Sequence, residues 1–271
     1  MAGSTGTGSG AGRLAGKAAV ITGGSGGMGA AAARLFVEEG CAVTIVDRDA
    51  AELQKTVQSI GGDRIAAFTA DVTDPEQVAA YTAAAVERFG GLDIALLNAG
   101  ITGPNAPLGS YPLQAFDQVL AVNVRAVWLG LTAAIPHIKR RGGGSIVMTS
   151  SIQGLSAMPG TSGYTTSKHA VVGMMKGAAL ELARDNIRVN AINPGFADTP
   201  MMHRIHESAI PGAPGQMEAA LSATVPMRRY ARPEEIARMM LFLASDESSY
   251  CTGACYAVDG GVLASWGATP D

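Results

Sequence analysis

The chain alternates short, unbroken apolar runs with longer helical segments, and that rhythm limits its fold more tightly than any other feature. Ala18-Ala19-Val20-Ile21 reads as a strand, and a glycine turn leads from it into a helix from Gly29 to Glu39 that Gly40 stops. Ala42 to Val46 reads as the second strand. Ile65 to Thr69, Ile94 to Leu97, Ser145 to Thr149 and Ile187 to Ile192 repeat the pattern, and Ala254 to Val258 is the last apolar run. These runs are apolar throughout, as parallel strands covered on both faces are. The expected fold is therefore α/β: a doubly wound parallel sheet of Rossmann type with helices on both faces, in a single domain. Its ligand should lie at the carboxyl ends of the strands.

A chain of 271 residues is long enough for one such domain. No internal linker divides it, so the domain is expected over residues 13–271, after a Gly/Ser/Thr/Ala-rich tail at 1–12 that is expected to be flexible. The segment Phe196 to Met227, rich in Pro, Met and His, breaks the rhythm and is expected to form a substrate lid. The insert Thr102 to Leu113 carries Pro104, Pro107 and Pro112 and is expected to be a rigid loop near the cleft.

The net charge of −3 argues against a nucleic-acid partner, because such binders carry clustered basic patches. Lys139-Arg140-Arg141, the one short basic run, reads as a helix end before Gly142-Gly143-Gly144. The N-terminus lacks the basic start and apolar run of a secretory signal. No stretch reads as long and apolar enough to cross a bilayer, so no membrane partner and a cytoplasmic location are expected. Cys41, Cys251 and Cys255 cannot all pair and lack zinc-ligand spacing, which fits core packing in a reducing compartment.

The first strand runs straight into Thr22-Gly23-Gly24-Ser25-Gly26-Gly27-Met28-Gly29, where a helix opens. Glycines allow a pyrophosphate close to the backbone, and the helix N-terminus offers unpaired N–H groups. A glycine loop alone is weak evidence. Here it lies between strand and helix, and Asp47 closes the second strand about 20 residues on, the spacing of a dinucleotide fingerprint. Gly23, Ser25, Gly26, Gly27, Met28 and Gly29 are thus candidates for the cofactor cradle. Asp47 can accept hydrogen bonds from ribose hydroxyls and would repel a 2′-phosphate. Arg48 is the counter-evidence, since it could pair with that phosphate. With the carboxylate present and no basic residue in the loop, NAD is the expected cofactor, and Arg48 is expected over the adenine face.

Tyr164-Thr165-Thr166-Ser167-Lys168 puts a phenol and an ammonium at i and i+4 on one helical face. Ser151 follows the Ser145 to Thr149 strand, and Asn123 sits in the apolar helical stretch Val119 to Leu131. Each has an ordinary reading: a solvated surface pair, a helix cap, a buried hydrogen-bonding residue. Their combination with the glycine loop argues for chemistry.

With Thr22-Gly-x-x-x-Gly27-x-Gly29, Asp71-Val72, Asn98-Ala99-Gly100, Asn123, Ser151, Tyr164-x-x-x-Lys168 and Asn193-Pro194-Gly195 in place, the chain resembles the short-chain dehydrogenase/reductase family from about Leu14 to Leu263. The resemblance implies that Tyr164 is the general acid in ketone reduction and the general base in alcohol oxidation. Its free pKa of about 10 would be lowered by the Lys168 ammonium and the oxidised nicotinamide. It implies that Ser151 bonds the substrate oxygen, Lys168 holds the nicotinamide ribose, and Asn123 positions a water. It further implies that Asp71 and Val72 flank the adenine and that Asn98, Ala99 and Gly100 support the cofactor. Pro194, Gly195, Phe196 and Thr199 would hold the carboxamide end, within Ile192 to Thr199. A homotetramer packed through the last strand is also implied, and Trp266 could reach a neighbour.

His203, His206 and Glu207 suggest a metal half-site, but no further ligand cluster accompanies them, so no metal is expected. Met201, Met202, Met217 and Met227 suit a pocket wall or ordinary packing. The leading expectation is an NAD-dependent oxidoreductase for a secondary alcohol or ketone, bulky or cyclic and apolar. The Asn98 loop and the lid resemble those of cyclic-diketone reductases. The alternatives are an NADPH-dependent 3-oxoacyl carrier-protein reductase and a non-catalytic dinucleotide-binding scaffold.

Overall fold

A computed structural model describes residues 12–265. The expected tail up to Ala11 and Trp266 with its successors lie outside the described residues. Seven parallel strands run β1 (Ala18–Thr22), β2 (Ala42–Asp47), β3 (Ile65–Thr69), β4 (Ile94–Leu97), β5 (Gly144–Thr149), β6 (Ile187–Pro194) and β7 (Cys255–Val258). Their order in the sheet is β3-β2-β1-β4-β5-β6-β7. The chain winds outward from β1 to β3, then crosses back to β4, so β1 and β4 flank the switch point where such sheets open a crevice.

The helices are α1 (Gly27–Glu38), α2 (Ala50–Ile60), α3 (Pro75–Phe89), α4 (Leu113–Leu120), α5 (Ala126–Arg140), α6 (Ser162–Leu182), α7 (Pro200–Ala209), α8 (Pro214–Thr224) and α9 (Pro233–Ala244). Strand pleat divides the core into two layers. Val20, Ala95, Ile146 and Val189 meet α3, α5 and α6 through Tyr81, Leu131 and Met175. Ile21, Ile45, Leu96 and Val147 meet α1, α2 and α9 through Phe36, Leu53 and Met240. Both faces of the central strands β1, β2, β4 and β5 are therefore dry, which is why these read as apolar runs. In β6 the expected apolar run is broken by Arg188 and Asn190, whose side chains bond the end of α9 and the segment before β7.

Local signals set the helix ends. Asp49 and Asp74 cap α2 and α3 by accepting backbone N–H bonds, and Pro75 occupies the first turn of α3. The glycine-rich turn is shorter than the sequence suggests, because α1 already begins at Gly27 rather than Gly29.

The Asn123 region departs further from expectation. Ala121–Arg125 is a π-turn that joins α4 to α5, making one continuous helix over Leu113–Arg140. The helix has 28 residues, and an 18-residue window within it reaches a mean hydropathy of 1.6, which is long and apolar enough to cross a membrane. This corrects the expectation that no stretch qualifies. Its stripe of Val119, Val127, Leu131, Ala134 and Ile138 is buried in the domain core, so this apolar character belongs to sheet packing.

The segment between β6 and α9 folds as α7 and α8, with Thr199 capping α7 and Pro200 in its first turn. The insert at 102–113 is a loop with one 3-10 turn at Leu108–Ser110, tied to the segment before α6 by an Ala106 N–H bond to the Gly160 carbonyl (2.9 Å).

Candidate active site

The carboxyl ends of β1, β2, β4 and β5 bring the expected residues to one edge of the sheet. After β1 the chain turns through Gly23, at φ +65°, and α1 opens at Gly26 with no side chain capping it. A Cβ on Gly29 would overlap the Gly23 carbonyl, which is why the helix can start so close to the strand. A Cβ on Gly27 would stand 2.9 Å from the Thr199 Cγ2, so the start of α7 rests directly on the glycine turn. Met28 packs beneath the turn against the α1 side of the core.

Asp47, at the end of β2, binds this turn to the second strand. Its Oδ2 accepts the Ser25 hydroxyl (2.7 Å) and, at longer range, the Ser25 N–H (3.4 Å), while Oδ1 accepts the N–H of exposed Arg48 (2.8 Å). The uncapped helix start and this carboxylate fit a dinucleotide, with the pyrophosphate at the N–H groups of α1 and a ribose diol at Asp47.

Asn98 braces the crevice from β4. Its side-chain amide donates to the carbonyls of Thr22 and Gly23 and accepts the Thr149 hydroxyl, and Thr22 in turn accepts the N–H groups of Asn98 and Ala99. Val72 and Ala99 converge with Val122 of the π-turn on a small cavity of about 10 Å³. Asp71 does not point into it, since its Oδ1 is held by the Thr73 N–H and hydroxyl. Arg125, also in the π-turn, donates to the Thr73 carbonyl at 2.6 Å and so fastens the Asp71–Thr73 loop.

Asn123 sits on that π-turn, fully buried. It exchanges two 2.8 Å bonds with the backbone of Ile101 and donates to Ser167 of α6 (3.0 Å). Lys168 is buried too, and its Nζ donates to the Thr149 carbonyl (2.9 Å) and lies 5.4 Å from the centre of the Tyr164 ring. A Cβ on Gly100 would stand 3.3 Å from the Asn123 Oδ1 and 3.4 Å from the Lys168 Nζ, so these two groups meet at one glycine. Ser151 stands near enough to the Tyr164 hydroxyl to lower its pKa, and it accepts the Gln153 N–H (3.1 Å), so it caps the short turn that follows as a serine there can.

Burial pushes the Lys168 ammonium down to about 8. Burial raises the Tyr164 phenol, against a smaller lowering by the Ser151 hydrogen bond. Of the two causes expected to lower the Tyr164 pKa, Lys168 does not offset burial, and the oxidised nicotinamide acts only when the cofactor is bound. The protein matrix disfavours the phenolate, and Lys168, itself desolvated, spends one N–H on Thr149.

Pro194 ends β6, and the Gly195 N–H bonds the Val258 carbonyl (3.0 Å). Phe196 stacks on Tyr230 at 5.6 Å. The two histidines of α7 separate: exposed His203 pairs with Asp198 (2.6 Å), whereas buried His206 bonds the Tyr230 hydroxyl (3.0 Å). Among the described residues no cluster of three His, Cys, Asp or Glu could hold a metal.

Two contributors escape sequence reasoning. Arg125 acts on a loop far away in the chain. Gln153 is the second; its place two residues after Ser151 is the only available signal. Asn193, named within the Asn193-Pro194-Gly195 motif, donates to the Ser151 carbonyl (2.7 Å).

Comparison with known proteins places this site in context. A family model described as enoyl-(acyl carrier protein) reductase matches residues 23–263. A 3-oxoacyl-[acyl-carrier-protein] reductase of Thermotoga maritima is 39% identical, over 93% of this chain and 99% of that protein. A cis-4-hydroxycyclohexanecarboxylate dehydrogenase of Sinomonas cyclohexanicum is also 39% identical, over 92% of this chain and 97% of that protein. The crystal structure of levodione reductase superposes with a TM-score of 0.90 at 35% identity, covering 93% of this chain and 99% of that one.

Proposed function

The chain belongs to the short-chain dehydrogenase/reductase family, and from that premise we propose that it moves a hydride between NAD and a secondary alcohol or ketone that is cyclic, bulky and apolar. The nicotinamide dinucleotide bound by the family supplies or accepts the hydride. The chain's own residues handle the proton and the developing charge. Ser151 and Tyr164, which stand side by side, grip the reacting oxygen from two sides. Tyr164 gives its proton to that oxygen in reduction and takes it back in oxidation. The raised pKa keeps the phenol protonated at neutral pH, which suits the reductive direction. Lys168 stands behind Tyr164 and, with Asn123, forms the route by which the proton is replaced.

The observation that carries this reading is the buried Lys168 Nζ held 5.4 Å from the Tyr164 ring, with Ser151 beside the Tyr164 hydroxyl. Support for NAD comes from Asp47, whose carboxylate ends β2 and is oriented by Ser25. Support for a ring substrate comes from the Sinomonas relative, whose name specifies a ring alcohol. In this reading α7 and α8 form the substrate lid, resting on Gly27 through Thr199. Exposed Trp128, Leu180 and Tyr250 support a homotetramer, and three free cysteines among the described residues support the cytoplasm.

The test is NADH oxidation with a panel of cyclic ketones. Turnover with NADH exceeding that with NADPH, abolished by Tyr164→Phe while NADH still binds, is the expected result. Preserved turnover in that variant removes Tyr164 from the chemistry. Reduction of a 3-oxoacyl carrier-protein thioester is a second reading, favoured by the Thermotoga relative. It calls for NADPH, so an acetoacetyl thioester reduced faster with NADPH than any ring ketone with NADH would select it.

A further inference from the structure

Gln153 is buried at 9% exposure, and the pattern of its hydrogen bonds is unbalanced. Its Oε1 accepts two hydroxyls, from Thr161 (2.7 Å) and Thr165 (2.8 Å). Thr161 also donates to the Met158 carbonyl (2.9 Å), so its single hydroxyl proton is shared between two acceptors, and the Thr165 hydroxyl is the bond that turns the amide oxygen towards α6. The Nε2 then has two N–H groups to place, and its one partner is the Met158 sulfur at 3.4 Å, a weak acceptor. A buried donor left short of acceptors is costly and calls for an explanation.

Its surroundings supply one. The Gln153 N–H bonds the Ser151 Oγ (3.1 Å), the same oxygen that meets the Tyr164 hydroxyl. Thr161 and Thr165 lie three residues before and one after Tyr164, so the Gln153 amide is braced against the helix that presents the phenol. The bracing makes the amide rigid and leaves its donor end with one weak acceptor, the Met158 sulfur, for two N–H groups. We infer that Gln153 is a specificity-determining residue whose Nε2 donates to a second oxygen on the substrate, a ring carbonyl or carboxylate separate from the oxygen that is reduced. The substrate class is then a cyclic ketone or alcohol carrying a further acceptor. This rests on the ketone chemistry proposed above.

The experiment compares kcat/KM for cyclohexanone with that for cyclohexane-1,2-dione, cyclohexane-1,4-dione and 4-oxocyclohexanecarboxylate. Three proteins are used: wild type, Gln153→Met and Gln153→Glu. Methionine keeps the length without polarity. Glutamate keeps an acceptor for the two threonines while losing the donor, so it separates the role in binding from the role in bracing. Wild type should prefer at least one bifunctional substrate, and both variants should reduce that preference about tenfold or more. Loss of activity by equal factors on all substrates would make Gln153 a brace alone and overturn the inference. So would an unchanged preference in either folded variant, or a wild type with none. A wild type that reduces no ketone, cyclohexanone included, fails the reading of the reaction itself, and the inference falls with it.

Discussion

Lys168 offers the sharpest physical test, because its burial has a cost that depends on pH. The side chain is 3% exposed, and burial depresses its pKa from 10.5 to about 8. Between those values the unfolded chain binds a proton that the folded protein does not, so folded-state stability rises with pH across this window. The cost is full below about pH 8 and gone above about pH 10.5, and by linkage it amounts to about 3 kcal/mol at neutral pH. Lys168→Met removes the ionisable group and keeps most of the volume. It also removes the bond to the Thr149 carbonyl, a loss of about 1 kcal/mol that does not vary with pH. The stability difference between variant and wild type should therefore shrink by about 2 kcal/mol from about pH 7 to about pH 9.5. For a domain of this size that is a relative change in Tm of about 4–8 °C. Thermal unfolding followed by circular dichroism at several pH values measures it, and other titrating groups cancel in the difference. A difference that stays flat with pH would show that the Lys168 charge is buried without cost, and the argument from desolvation would be wrong.

Other perturbations separate the two ends of the site. Arg125→Ala releases the Thr73 carbonyl and should raise KM for the dinucleotide several-fold with little change in kcat, as steady-state kinetics would report. A change confined to kcat would show that the Asp71–Thr73 loop does not touch the cofactor. Asp47→Ala should cut the ratio of kcat/KM for NADH over NADPH by about tenfold or more, and an unchanged ratio would transfer cofactor choice to Arg48. Gly29→Ala forces a Cβ into the Gly23 carbonyl and should destabilise the domain by about 1–3 kcal/mol in urea titration while weakening NADH binding.

Much of this architecture could be read from the sequence because its causes are local or periodic. Strands covered on both faces are rich in apolar residues, so β1, β2, β4 and β5 are visible as runs, and Asp49 and Asp74 mark helix starts by their own chemistry. Gly29, Asp47, Tyr164 and Lys168 stand at spacings dictated by the backbone. What the sequence hides is produced by contacts between distant segments. Nothing in Val119 to Leu131 distinguishes a π-turn from an α-turn, because both keep apolar residues on one side. The start of α1 at Gly27 depends on how closely Gly29 packs on the Gly23 carbonyl. His203 and His206 look like a pair at three-residue spacing, yet one faces Asp198 and the other Tyr230. The rise in the Tyr164 pKa follows from burial, which no motif records.

The π-turn also bears on how this family member can change length. It holds one residue more than an α-helix needs and absorbs it in a wider turn, so the segments on either side keep their faces to the core. Val119 lies buried before it, and Gly130 lies buried after it, where a Cβ would stand 2.7 Å from the Leu97 Cδ2. Deleting one residue within Ala126–Arg140 would turn the rest of that helix by about 100° and carry its buried stripe off the sheet. Deleting one residue between Ala121 and Arg125 would instead restore regular helical pitch and leave both segments in place. The loss there would fall on Asn123, whose bonds to Ile101 and Ser167 are made from the wider turn.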